Sequence, residues 1–190
     1  AGVSCTSDSA CTAVGSYVDS SDGGGTLAEA WDGTSWSIQT TPDPSGAGSS
    51  TLSGVSCNSS GDCTAVGGYL NDDSVAQPFA EVWNGTSWSP EPTPLPSGAE
   101  GGALSGVSCP STGPCSAVGN YTDSSGVDHD LAEVSNGTSW SFQATADPLN
   151  GQQPTLNDIA CTTSDGCTAV GVYTTISSVE VTLVEVGPSP

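Results

Sequence analysis

The sequence predicts an all-β fold: a four-bladed β-propeller built from 52-residue, four-stranded units, with the last blade lacking its outer strand. Three observations predict it. The first cysteines of four Cys-x5-Cys pairs stand at residues 5, 57, 109 and 161, a step of 52 each time, and strand-only repeats of about 40 to 50 residues are the signature of propeller blades. Every segment of the unit either alternates with period two or carries turn chemistry, and none reads as a helix. The hairpin "AEAWDGTSWS" at 28–37 returns as "AEVWNGTSWS" at 80–89 and "AEVSNGTSWS" at 132–141, whereas the fourth copy reads "VEVGPSP" from 184. The units are drawn at 1–52, 53–104, 105–156 and 157–190, together one propeller domain over 1–190.

Each unit opens on a first strand of small residues, "LSGVSC", suited to a crowded centre. A second strand, "CTAVGxY", follows a short loop, and the two cysteines close that hairpin. The pairs Cys5–Cys11, Cys57–Cys63, Cys109–Cys115 and Cys161–Cys167 are expected as local disulfides. Zinc needs closer pairs and usually histidines, and one His serves four pairs here. Closing a seven-residue loop contributes roughly 2 to 2.5 kcal/mol, so four contribute about 9. A chain with 34% hydrophobic residues needs that support. Disulfides also imply an oxidising, extracellular setting. Residue 1 opens on a strand-like "AGVSC" with no basic or long apolar segment, so the expectation is a secreted chain with its signal peptide removed and no membrane insertion.

The third strand, "LAEVW", and the fourth, "TSWSxQ", flank Asp32-Gly33, Asn84-Gly85 and Asn136-Gly137. These dipeptides favour a two-residue type I′ turn, which sets Trp31 opposite Thr34 and Glu29 opposite Trp36. Leu27, Glu29, Trp31, Trp36 and Ile38 then share one large face, and Ala28, Ala30, Ser35 and Ser37 a small one. Stacked sheets fit together when each large face fills the hollow of its neighbour. Pro-rich connectors such as "TTPDPSGAGSS" carry the chain between blades. In the last unit the third strand is left as an edge at Leu183, Val184, Glu185 and Val186, and unpaired edges recruit other chains. Gly187-Pro188 and Pro190 blunt that edge in the opposing reading.

Charge narrows the function. The chain has no Lys or Arg, 21 acidic residues and one histidine. Phosphate binding needs clustered basic residues, which excludes nucleic acid, and anionic membranes fail on the same grounds. Neutral ligands and cations remain.

The pattern "GVSCxSxxxCTAVGxY…LAExWNGTSWSxQxTPxPSG" resembles a repeat of secreted bacterial proteins, especially of actinobacteria, and is broadly similar to kelch-type propeller blades. The resemblance covers the whole chain and implies a propeller fold; it supplies no catalytic residues. Ser135, where the hairpin's first Trp should stand, and the short last unit depart from the pattern.

Two residue sets carry the functional expectation. Glu29, Glu81, Glu133 and Glu185 lie on the large apolar face in a chain without cations, so each must be richly hydrogen-bonded or protonated. The fourth unit keeps Glu185 without either tryptophan, which makes these carboxylates structural rather than ligand-binding or an acid/base pair. Trp31, Trp36, Trp83, Trp88 and Trp140 pack between blades or, where exposed, offer platforms to neutral sugars, with Ser135 making the third unit the weakened site. No metal site is expected and no cofactor. The acidic loops "YVDSSDGGG", "YLNDDSVAQ" and "YTDSSGVDHD" offer oxygen ligands to Ca²⁺ without EF-hand spacing, and His129 among them reads as a surface residue. Asn58, Asn84, Asn120 and Asn136 open Asn-x-Ser/Thr sequons. The expected function is a secreted, non-enzymatic, lectin-like propeller for neutral glycans or cell-surface polymer. The alternative is a structural subunit of an extracellular filament, matrix or surface layer, self-associating through the open edge. A glycosidase ranks third.

Overall fold

Alternating small and branched residues fold here into four antiparallel sheets. The computed structural model describes residues 1–18, 20, 24–58, 61–145, 151–162 and 166–187, with backbone alone at 186 and 187. No helix occurs among them. The first sheet holds β1 (Gly2–Ser7), β2 (Ala10–Val18), β3 (Gly24–Trp31) and β4 (Trp36–Gln39). The second holds β5 (Ser49–Cys57), β6 (Cys63–Leu70), β7 (Ala76–Trp83) and β8 (Trp88–Pro92). The third holds β9 (Ala99–Ser108), β10 (Cys115–Asp123), β11 (Asp128–Ser135) and β12 (Trp140–Gln143). The fourth has three strands, β13 (Gly151–Cys161), β14 (Cys167–Thr175) and β15 (Glu180–Gly187). Divisions at the 52-residue step fall inside β5, β9 and β13, which begin at Ser49, Ala99 and Gly151.

Within a sheet the strands run in sequence order as a meander. The cysteines of each pair sit directly opposite one another across the first two strands, as at Cys5↔Cys11 and Cys57↔Cys63, and all four disulfides form within their own sheet. A register shift bends the innermost strand between Leu52 and Gly54, and again between Leu156 and Asp158. That bend presses a carbonyl onto the second strand. A Cβ at Gly67 would lie 1.9 Å from the Thr51 oxygen, and at Gly119 2.0 Å from that of Ala103. The glycine of "CTAVGxY" is therefore a steric requirement.

The hairpin between the third and fourth strands differs from expectation. Trp31 pairs with Trp36 and Glu29 with Ile38, and the second sheet repeats this at Trp83↔Trp88. The connection has four residues because the side chain at its first position builds the turn. The Asp32 carboxylate accepts the amides of Thr34 and Ser35 at 2.8 and 2.9 Å, and Asn84 accepts those of Thr86 and Ser87. Only Gly33 takes positive φ there, at 94°. The slip is two residues, so every side chain stays on its expected face.

The sheets stack in chain order. The small face of one sheet carries Val14 and Ala28, and these pack with Leu52, Ala65, Phe79 and Trp88 on the large face of the next. Val66 and Ala80 meet Leu104, Ala117, Leu131 and Trp140 in the same way. Val118 meets Leu156, Ala169 and Leu183. Among the described residues, packed interfaces join neighbours only: the first and fourth sheets do not close on each other, and the architecture is an open row of four sheets. Solvent therefore reaches the outer faces at both ends. On the first sheet Trp36 is 45% exposed; on the fourth, Val170 and Val184 are 42% and 57% exposed.

Candidate functional site

The five tryptophans divide by their place in the row. Trp88 and Trp140 are 4% and 6% exposed, because each inserts against the preceding sheet. The Trp88 indole N–H donates to Gln39 Oε1 at 2.9 Å, and that of Trp140 to Glu91 Oε2 at 3.1 Å. They pin one sheet to the next, and Trp140 keeps only an edge open, toward the hollow described below. Trp36 holds the same repeat position and lies open, since no sheet covers its face. Trp31 and Trp83 pack tilted against Trp36 and Trp88 with ring centroids 5.6 and 5.7 Å apart. The Trp31 indole N–H also donates to the Asp8 carbonyl in the loop between β1 and β2.

A second set of contacts between sheets escaped the sequence reading. The Ser4 hydroxyl accepts the Cys57 amide at 3.0 Å, Ser56 accepts that of Cys109 at 2.9 Å, and Ser108 that of Cys161 at 2.9 Å. The signal was the recurring Ser of "GVSC". The fourth unit carries Ala160 at that position and Asp158 where Gly2, Gly54 and Gly106 stand.

The recurring glutamates occupy these interfaces unequally. Glu81 and Glu133 are fully buried, while Glu29 and Glu185 are partly exposed. Glu81 accepts a 3.5 Å hydrogen bond from Thr26 of the first sheet. Thr26 belongs to a polar cluster with Asp43, whose carboxylate accepts the Thr26 amide at 3.0 Å and the Ser50 hydroxyl. Burial, reinforced by the Asp43 charge, pushes Glu81 up to about 7. In the next interface Pro78, Leu95 and Gly102 stand at the repeat positions of Thr26, Asp43 and Ser50. Glu133 has lost that cluster, and neither of its oxygens has a hydrogen-bond partner among the described residues. Burial alone raises it to about 8. The expected locking by hydroxyl or amide donors is thus found at Glu81 and not at Glu133, which is held as a neutral acid.

Ser135 opens a hollow. In the first and second sheets a tryptophan fills the space beside the fourth-strand indole; Ser135 leaves it empty in the third. The result is a cavity of about 420 Å³ lined by Trp140, Glu91, Thr64, Ser135, Asn136 and the Gly113–Pro114 corner. An aromatic wall, one carboxylate, two hydroxyls and an amide converge there. The third unit, expected to be the weakened site, is the one that gains a pocket. A larger cavity of about 550 Å³ separates the third and fourth sheets, between Ser116, Val134 and Gln143 on one side and Cys167, Leu183 and Glu185 on the other.

In the third acidic loop the carboxylates build the turn. Asp123 accepts the amides of Ser125 and Val127 and contacts His129 Nε2 at 3.2 Å, which holds its carboxyl below the ordinary range. His129 itself stacks on Tyr121 at 5.0 Å, partly buried. Asn71 caps Asp73 and Val75. No three ligating side chains converge among the described residues; residues 19 and 21–23 of the first loop lie outside them. Of the sequons, Asn84 and Asn136 are turn-capping residues, Asn58 caps Asp62, and Asn120 lies within β10. No described helix is long and apolar enough to cross a membrane.

No family model matches the sequence, and no curated protein resembles it. The fold is similar to that of a solved structure, the Hadza microbial sialidase Hz136, with a TM-score of 0.64 at 10% identity. The likeness covers 97% of this chain and 43% of the sialidase chain, so the four sheets span less than half of that protein.

Proposed function

We propose that this protein is a secreted, non-enzymatic binding module for neutral glycans, its sheets forming an arc of propeller blades like those of the secreted bacterial repeat proteins it resembles. The observation that carries this reading is the hollow beside Trp140. Its volume falls in the usual range for small-ligand sites, about 300 to 1,000 Å³. An indole wall suits the apolar face of a sugar ring, and Glu91, Ser135, Asn136 and Thr64 suit its hydroxyls. The fold likeness to a sialidase supports a glycan as ligand. A chain without Lys or Arg has no cationic grip for an acidic sugar, which narrows the ligand to neutral ones. Glycoside hydrolysis calls for two facing carboxyls, and among the described residues Glu91 alone supplies a carboxyl to the hollow.

Ser135→Trp tests the reading by restoring the residue that the other hairpins carry. The variant should fold, and it should lose at least tenfold in affinity for whichever neutral glycan the parent retains on an array. Absence of any neutral glycan ligand, or undiminished binding by Ser135→Trp, removes the proposal.

A second reading is favoured by the exposed Val170 and Val184 on the fourth sheet: the chain is a structural subunit that assembles through that sheet. Light scattering tests it. At neutral pH the acidic charge opposes association, and salt or acid should promote it by screening or protonation.

A further inference from the structure

The polar groups of the hollow beside Trp140 are not interchangeable, because each has already spent part of its hydrogen-bonding capacity. The Asn136 side-chain oxygen accepts the Thr138 and Ser139 amides and the Thr138 hydroxyl, at 3.0, 3.1 and 2.8 Å. What Asn136 offers the hollow is therefore its NH₂, which only donates. The Ser135 hydroxyl accepts the Gly137 amide at 3.1 Å and keeps its own proton to give. Thr64 lies 3.7 Å from the Cys115 sulfur. That sulfur is bonded to Cys109 and carries no proton, so the threonine proton is the one committed there. Glu91 accepts the Trp140 indole N–H at Oε2, and its Oε1 has no hydrogen-bond partner among the described residues. Two donors thus stand on the third sheet and a carboxylate oxygen on the second, with Val82 and Pro114 as apolar lining.

We propose that this hollow recognises an acetamido group, so that its ligands are the 2-acetamido sugars among neutral glycans. The inference deepens the glycan reading and rests on it. A trans secondary amide points its N–H and its C=O in opposite directions. Set between the two sheets, it donates to Glu91 Oε1 and accepts from Asn136 and Ser135, and its methyl lies against Val82 and Pro114. A hydrogen bond to a carboxylate is about twice as strong as a neutral one. A hydroxyl on the same sugar carbon reaches one wall only and leaves the groups of the other unpaired, which is how a site built for a polar group rejects an analogue lacking it. The preceding interface holds Gln39 at the position of Glu91, where it accepts the Trp88 indole N–H at 2.9 Å, and Trp83 at the position of Ser135. An amide thus serves the indole as well as a carboxylate does, and the negative charge at Glu91 is left for the ligand.

The test titrates the full chain with the methyl glycosides of N-acetylglucosamine, N-acetylgalactosamine and N-acetylmannosamine, each beside its 2-hydroxyl parent, by ligand-observed NMR. At least one acetamido sugar should bind about tenfold or more tighter than its parent, the effect of a hydrogen bond to a charged group. Its acetyl methyl should receive the strongest saturation from the protein. Glu91→Gln should fold, since Gln39 makes the same indole contact in the preceding interface. It should weaken that sugar about tenfold or more and leave the 2-hydroxyl parent within about twofold, because an NH₂ meets the amide N–H where an oxygen stood. Equal affinity for acetamido sugars and their parents, binding only of glycans without the group, or indifference to Glu91→Gln overturns the acetamido assignment; where Ser135→Trp abolishes that binding, the glycan reading stands. Acetamido sugars bound equally by Ser135→Trp, or no neutral glycan bound at all, overturn both. An acetyl-lysine amide that binds as tightly as the sugar assigns the hollow to acetylated protein and overturns the sugar as ligand.

Discussion

Replacing Glu133 by Gln should make this protein more stable in base and less stable in acid. The folded state holds Glu133 as a neutral acid titrating at about 8, against 4.5 for an ordinary glutamate. Its folded value is raised, so its contribution is fully present below pH 4.5, is lost as pH climbs through the folded value, and is level beyond it. The difference amounts to about 5 kcal/mol across that window. This is a large part of the 5 to 15 kcal/mol that stabilises an ordinary domain. With a urea slope of about 2 kcal/mol per molar, the parent's unfolding midpoint should fall by about 2 M between pH 4 and pH 8 from Glu133 alone. Glu81, raised to about 7, adds a drop of about 3 kcal/mol that ends nearer neutrality. An amide at 133 does not titrate, but its NH₂ enters a site without hydrogen-bond partners, which costs about 1 to 3 kcal/mol at every pH. Glu133→Gln should therefore lie below the parent at pH 4 and above it by about 1 to 3 kcal/mol at pH 8. Urea unfolding followed by tryptophan fluorescence at both values measures the crossing. Parallel pH profiles for parent and variant would show that Glu133 ionises freely in the fold and refute the reasoning.

Trp88→Ala should cost about 3 to 5 kcal/mol and Trp36→Ala about 1 or less, because only the first indole is sealed between sheets; equal losses by urea unfolding would deny the stacking order. Ser56→Ala should cost about 1 to 3 kcal/mol by orphaning the Cys109 amide, whereas Ala160→Ser should change stability by less than about 0.5. Gly106→Ala should cost about 1 to 3 kcal/mol, since its Cβ would stand 2.7 Å from the Asp158 Cα, and hydrogen exchange should show the loss concentrated in β13. Non-reducing cleavage after glutamate should release each disulfide pair within a single fragment, because Glu29, Glu81, Glu100, Glu133 and Glu180 bracket the pairs; fragments joined by sulfur would contradict the pairing.

Much of the fold could be read from repetition. The 52-residue step located the sheets, and period-two alternation assigned the faces even though the hairpin register was off by two residues. That slip came from treating Asp32 and Asn84 as backbone turn formers, when their side chains accept two amides each and lengthen the connection. The curvature of the row was not legible, because the contacts that set it are between neighbours and look the same in an open arc and a closed ring. The contrast between Glu81 and Glu133 was written in the sequence as Thr26, Asp43 and Ser50 against Pro78, Leu95 and Gly102. It becomes readable only when the face that meets each glutamate is known. The hollow beside Trp140 is marked in the sequence by Ser135, but its shape depends on the Gly113–Pro114 corner and on Glu91 of the preceding sheet, which repetition alone does not bring together.

The amide-to-serine bonds between sheets all run one way along the chain, donated by Cys57, Cys109 and Cys161 back to Ser4, Ser56 and Ser108 of the preceding unit. A repeat with a donor side and an acceptor side can be copied in frame without inventing any contact: one more unit adds one more interface of a kind already present. The third unit carries Ser135 where the first and second carry Trp31 and Trp83, and both of its interfaces keep their amide-to-serine bond. The polarity of one hydrogen bond thus makes each sheet a self-contained module of the row.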